Sequence, residues 1–252
     1  MQKGKFYLMF LFAAFAVNAS SQQINATDIV KRADDKMRGE KSSYSVMSMK
    51  IVRPTWERTV SFKSWGKGTE LSLVYITAPA KDKGQSFLKI KNEMWSWNPS
   101  VNRTIKLPTS MLSQGWMGSD FTNDDLLNQR SIVVDYNHEI VGEESISGEI
   151  CYKILLQPKP DAPVVWGKIV MWISKNHDLI LKTEYYDEDK YLVKSEIGKD
   201  LKEMDGRLTP TTFELIPADN EGNKTIVTIN EIKFNIPIED SFFSQQNMQK
   251  IR

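Results

Sequence analysis

The chain has 252 residues, with 33 Lys+Arg against 32 Asp+Glu and a formal net charge of +1 at pH 7. So even a balance carries none of the long-range positive potential that draws a protein to nucleic acid or an anionic surface, and no nucleic-acid partner is expected. A lone cysteine, Cys151, excludes an intramolecular disulfide, so the fold must rest on its core, for which 40% hydrophobic residues, 7 Trp and 11 Phe supply the material.

In chain order, MQKGKFYLMFLFAAFAVNA places Lys3 and Lys5 before an uncharged, mostly apolar run from Phe6 to Val17. Val17 and Ala19 are spaced for cleavage after Ala19. This is the pattern of a secretory signal peptide over residues 1–19, and its apolar stretch is too short for a bilayer about 30 Å thick. An uncleaved anchor helix is the alternative. No cysteine stands near the cleavage point, so the mature chain is not expected to be lipidated there. Residues 20–252 are expected to form a single domain, since all-β domains often run to roughly 200–250 residues.

NATDIVKRADDKMRGE reads as a helix with Ile29, Val30, Ala33 and Met37 on one face. Asn25 can cap it, Asp28 lies in the first turn and Gly39 is a natural stop. The apolar stripe is narrow, as suits a helix that covers something. From there the period switches to two. SYSVMSMKIVR, ERTVSFKSWG, TELSLVYITAP, SFLKIKN, EMWSWNP and VNRTIKLP read as strands, as do SIVVDYNHEIVGEESI, EICYKILLQP and the β-rich remainder to NKTIVTINEIKFN. Short links mean antiparallel neighbours, and twist curls so long a meander toward a barrel. Cys151, on one of these strands, reads as a small buried residue rather than a reactive thiol.

Residues 107–129 interrupt the meander and are the natural cover for an opening. Within GWMGSDFTNDDLLNQR the acids invite a metal or catalytic reading. An EF-hand loop starting at Asp120 would need glycine where Asp125 stands and glutamate where Ser131 stands. Asp120 and Asp124 have no basic neighbour in sequence to hold their charge states apart. Thr122 and Asp125 instead form a capping box that starts a short helix. Met111, Leu112, Trp116, Met117 and Phe121 then make an apolar segment hinged at Gly115 and Gly118. It is either a flap over an apolar cavity or a loop packed permanently on the core.

Other chemistry is sparse. His138 and His177 belong to no HExxH, and no GxSxG, Walker loop, GxGxxG or CxxC is present. Trp95 and Trp97, two apart on one strand, share a side and are candidate cavity residues, although such pairs more often belong to a core or an interface. No catalytic residue, metal ligand or cofactor is expected.

APAKDKGQSFLKIKNEMWSWNPSVNRTIKL, MGSDFTNDDL, WISKNHDLILKTEYYD, LTPTTFEL and DSFFSQQNMQK together resemble the outer-membrane lipoprotein-sorting proteins, distant relatives of the LolA and LolB carriers. MGSDF with its capped helix is the most specific element. The resemblance implies a mainly β, α+β fold: a half-open barrel of antiparallel sheet, with the N-terminal helix and short helices over its open side. It implies a periplasmic, non-catalytic carrier of lipoprotein acyl chains or lipid. Possible partners are an inner-membrane ABC-type or RND-type transporter and an outer-membrane acceptor. A non-carrier envelope interaction module or accessory protein of an RND-type lipid exporter, and an exported hydrolase, are the competing readings. Candidate ligand contacts are Trp95, Trp97, Met111, Leu112, Trp116, Met117 and Phe121, under a lid helix presenting Ile29, Val30, Ala33 and Met37.

Overall fold

The computed structural model describes residues 25–38, 41–111, 114–123, 125, 132–162 and 164–252. The expected signal peptide, the Gly39 stop, Leu112 and most of the helix expected after Thr122 lie outside these residues.

Helix α1 (Ala26–Arg38) forms as its pattern requires. The Asn25 side chain accepts from the Thr27 amide at 2.9 Å, and Ile29, Val30 and Ala33 are buried on the apolar stripe. Six strands follow: β1 (Ser42–Arg53), β2 (Trp56–Lys67), β3 (Leu71–Ala78), β4 (Ser86–Ile90), β5 (Glu93–Asn98) and β6 (Arg103–Lys106). After a long crossing come β7 (Tyr136–Ile146), β8 (Glu149–Pro158), β9 (Lys168–Ser174), β10 (Ile180–Tyr186), β11 (Leu192–Met204), β12 (Arg207–Pro217) and β13 (Lys224–Phe234). A short helix, α2 (Gln245–Lys250), closes the chain.

Among the described residues the strands make one sheet of 13, ordered β6-β5-β4-β3-β2-β1-β13-β12-β11-β10-β9-β8-β7. Every pairing is antiparallel, as short links dictate. The sheet is open. Its centre is the pairing of the first strand with the last, from Ser43 opposite Phe234 to Val52 opposite Lys224, with one register shift at Val46/Met47. Two wings spread from that seam, β1 to β6 and β13 back to β7. The edge strands β6 and β7 are joined by residues 107–135. The segment singled out as a cover is thus the strap between the two free edges of the sheet.

Ile132–Asp135, which read as strand from its Ile-Val-Val run, is a turn entering β7. The crossing needs it: Ile132 packs on the core beneath α1, and its carbonyl lies 2.6 Å from His138 Nε2.

Alternation sorts the sheet's two faces. Inside the first wing, Met49, Ile51, Val60 and Phe62 form one cluster with Ile76 and Met94. Outside it, Leu73, Leu88 and Trp97 pack against Phe243 and Met248, so the C-terminal segment covers the outer face. In the second wing, α1 lies inside against Ile154, Leu156, Ile169, Met171 and Ile173. Cys151, Trp172, Leu179 and Leu181 pack outside, and burial pushes the Cys151 thiol up to about 11, leaving it an inert core residue.

Candidate ligand cavity

Residues from opposite wings line one hollow, which requires the sheet to bend around it. Phe87 and Met94 come from β4 and β5, and Ile169, Met171 and Tyr185 from β9 and β10. The cavity measures about 500 Å³, within the roughly 300–1,000 Å³ of small-molecule sites. The first wing supplies an apolar wall of Met47, Met49, Phe62, Val74, Phe87 and Met94. Met37 and Asp34 reach in from α1.

The helix is fixed to the second wing by polar ties. Arg32 grips Asp178 through two bonds of 3.0 and 3.1 Å, and Lys36 Nζ donates to the His177 carbonyl at 2.6 Å. His138 joins helix, strand and strap. Because the Ile132 carbonyl can only accept, His138 Nε2 carries a proton, and Nδ1 accepts from the Thr27 hydroxyl at 3.0 Å. Burial lowers the His138 pKa, consistent with this neutral form.

The flap is a tight loop. Gly115 and Thr122 form an antiparallel bridge, and the Trp116 amide donates to the Phe121 carbonyl at 2.6 Å. A side chain at Gly115 would come within 2.5 Å of the Ser119 carbonyl oxygen, so only glycine closes the loop this way. Met117 sits at φ 53, a left-handed conformation costly for a side chain of its size, followed by Gly118 at φ 79. The turn drives Trp116 inward to 3% exposure, edge-on to Phe62 at 5.4 Å and Phe87 at 5.5 Å. Its Nε1 is buried and has no acceptor among the described residues. Trp116 plugs one end of the hollow.

Polar contacts hold the plug in place. Arg53, at the end of β1, meets Asp120 at 3.0 Å and donates to the Gly118 carbonyl at 3.1 Å. The Thr225 hydroxyl donates to Asp120 Oδ2 at 2.7 Å and accepts from the Asp120 amide at 3.0 Å. Arg58, which pairs with Asp82, reaches the Met117 carbonyl at 3.4 Å. Asp120 therefore does have a basic partner, one that lies 67 residues away and was invisible to local sequence. The capping box is present: the Asp125 amide donates to Thr122 Oγ1 at 3.0 Å and the Thr122 amide to Asp125 Oδ2 at 2.8 Å.

The second wing adds charge. Lys194 of β11, only 7% exposed at its side chain, pairs with Asp125 at 2.5 Å. Its ammonium lies 4.9 Å from the Trp166 ring and 5.1 Å from that of Tyr185. Glu196, two residues on, shares the inner face and lines the hollow. Burial pushes its carboxyl up to about 7, with Lys194 opposing and Asp125 reinforcing the shift.

The family model described as "-like: Uncharacterized protein" matches residues 68–250. In structure the chain is similar to a DUF1329 family protein from Desulfovibrio piger, at 26% identity and TM-score 0.80, over 89% of this chain and 98% of that one. It is similar to a LolA superfamily protein from Nitrosomonas europaea, at 24% identity and TM-score 0.74, over 88% and 99%. The chain belongs to the family that this family model describes, and its fold is LolA-like. A Vibrio parahaemolyticus domain named for outer-membrane lipoprotein sorting shares the same LolA-like fold at TM-score 0.76 and 19% identity, over 89% and 98%. No curated protein matches the sequence.

Against this fold the sequence candidates separate. Trp116, Phe121 and Met37 line the cavity, and Met117 packs at the flap's edge of the same cluster. Ile29, Val30 and Ala33 bind helix α1 to its wing rather than facing the hollow. Trp95 and Trp97 do not line it. Alternation on β5 turns Met94 inward and both tryptophans outward, onto the C-terminal segment. Met111 ends a 3₁₀ turn and is exposed, outside the lining. Arg53, Arg58, Lys194 and Glu196 were missed. In YLVKSEI the apolar phase is Val193 and Ile197, so periodicity alone turns Lys194 and Glu196 toward solvent. Among the described residues no group of His, Cys, Asp or Glu could hold a metal ion, and no helix is long and apolar enough to cross a membrane.

Proposed function

We propose that this LolA-like protein is a periplasmic carrier that takes an acyl chain of a lipoprotein or lipid into the hollow and moves it toward the outer membrane, without catalysis. The observation that carries this reading is unfilled apolar space of about 500 Å³ behind a tryptophan plug. Each methylene withdrawn from water is worth about 0.8 kcal/mol, so a hydrocarbon tail crosses an aqueous gap only if shielded. A bent sheet supplies the shield, and a strap held by polar contacts supplies release. The fold's likeness to a domain named for lipoprotein sorting supports the same direction. In this reading an inner-membrane ABC-type or RND-type complex loads the carrier, and an outer-membrane acceptor empties it.

Native mass spectrometry of the protein extracted gently from a bacterial periplasm should show co-purified lipid or lipoprotein. Repeated clean apo masses would favour the non-carrier interaction module. With a fluorescent fatty acid as probe, Trp116→Ala should speed release about tenfold, the kinetic equivalent of about 1.4 kcal/mol of lost contact. An unchanged release rate in a folded variant removes the flap from the binding cycle.

A further inference from the structure

An all-apolar hollow would suffice to shield hydrocarbon, yet this one contains charge. Five carboxyl or ammonium side chains line it: Asp34, Lys89, Asp125, Lys194 and Glu196. Ionised, they sum to one negative charge. Asp34 and Lys89 have partners, Lys89 Nζ donating to the Thr69 carbonyl at 2.9 Å. Lys194 is committed to Asp125 and to two aromatic faces. Glu196 is different. It is half-buried, turned into the hollow opposite Thr183 of β10, and accepts no hydrogen bond from any described residue.

A carboxylate partly withdrawn from bulk water and without a donor is costly, and a stable fold satisfies such a group from elsewhere. Water can do so in the empty state. When hydrocarbon displaces that water, the donor must come from the cargo. An anionic head would meet the surplus negative charge, whereas a cationic N–H donor would cancel it. Resting on the carrier reading above, we propose that Glu196 is the anchor for the cargo's polar head, and that this head bears an ammonium group. The hydrocarbon then runs from β11 across the hollow toward Met49, Phe62 and the Trp116 plug. An aminolipid head and a lysine beside a lipidated residue offer the same chemistry. A single-chain phosphatidylethanolamine and an acylated lysine peptide, used as competitors, tell those sources apart.

The test measures displacement of a bound fluorescent fatty acid by dodecylammonium, dodecanol and dodecanoate below their micellar concentrations at about pH 8.5, where the Glu196 carboxyl is ionised. Wild-type protein should bind the ammonium about tenfold more tightly than the carboxylate. Glu196→Gln should reduce that preference to less than about threefold and leave dodecanol unchanged. Glu196→Asp, which keeps the charge, should retain part of the preference. Wild-type binding of dodecanoate as tight as that of dodecylammonium overturns the head-group assignment and leaves the carrier reading standing. So does a preference that survives in Glu196→Gln. Failure of all three amphiphiles, and of the probe itself, to bind the wild-type protein overturns both.

Discussion

Asp120 shows how much one side chain can organise. It accepts from Arg53 and from the Thr225 hydroxyl, and its own amide is bonded to that hydroxyl, so β1, β13 and the flap meet at one carboxylate. Arg53 and Asp120 are 15% and 11% exposed, and removing one partner leaves the other charge poorly solvated. Asp120→Ala should therefore destabilise the protein by on the order of 3 kcal/mol in urea denaturation. In a double-mutant cycle, Arg53→Ala should add far less than its separate cost. Glu196 makes the opposite kind of demand. Its carboxyl is pushed up to about 7 in the folded protein, against about 4.3 in an unfolded chain. Between those values the native state holds more protons than the unfolded state, so stability falls as pH rises through that window and the full penalty applies above it. Glu196→Gln should raise stability by on the order of 2 kcal/mol above neutrality, with the gain vanishing by about pH 4 in thermal melts. Neither residue could be weighted from sequence, because the partner or the burial that defines each comes from a distant strand.

Elements were more legible, and unevenly so. Helix α1 could be read because cap, charge and stripe agree within a few residues, from Asn25 to Met37. The capping box at Thr122 could be read for the same reason. The β5 tryptophans could not be placed. Period two says that Trp95 and Trp97 share a side, but not which side, and on this sheet both faces are packed. Burying the outer face beneath the C-terminal segment makes the two faces separable by mutation. Phe243 is 3% exposed among Leu73, Leu88 and Trp97, so Phe243→Ala should cost about 3–5 kcal/mol of stability. It should leave fatty-acid affinity unchanged at temperatures where the variant is folded. Lost affinity without lost stability would contradict the separation of the faces. The edge strands carry their own protection. β6 has only four residues and includes Arg103 and Lys106, while β7 is broken by a register shift at Ile140/Gly142 and bears Glu139, Glu143 and Glu144. Charge, shortness and bulging each discourage pairing with a second chain.

At the scale of the molecule, the antiparallel meander was legible because short links leave strands no other way to pair. The seam between β1 and β13 was not, since nothing local tells the first strand that its second neighbour is the last. That seam turns a run of hairpins into two wings whose free edges need a strap, and so makes the hollow possible.

The seam also sets an order of assembly. Until Lys224–Phe234 has emerged, β1 has a bare side, and the second wing is joined to the first by the strap and by helix α1, which leads into β1. Long-range pairings of this kind form slowly, because loop closure precedes any reward. For the exported carrier proposed above, such delay is useful: a polypeptide whose middle is completed by its tail stays pliable while it is threaded through a translocation pore, and hardens only once delivered.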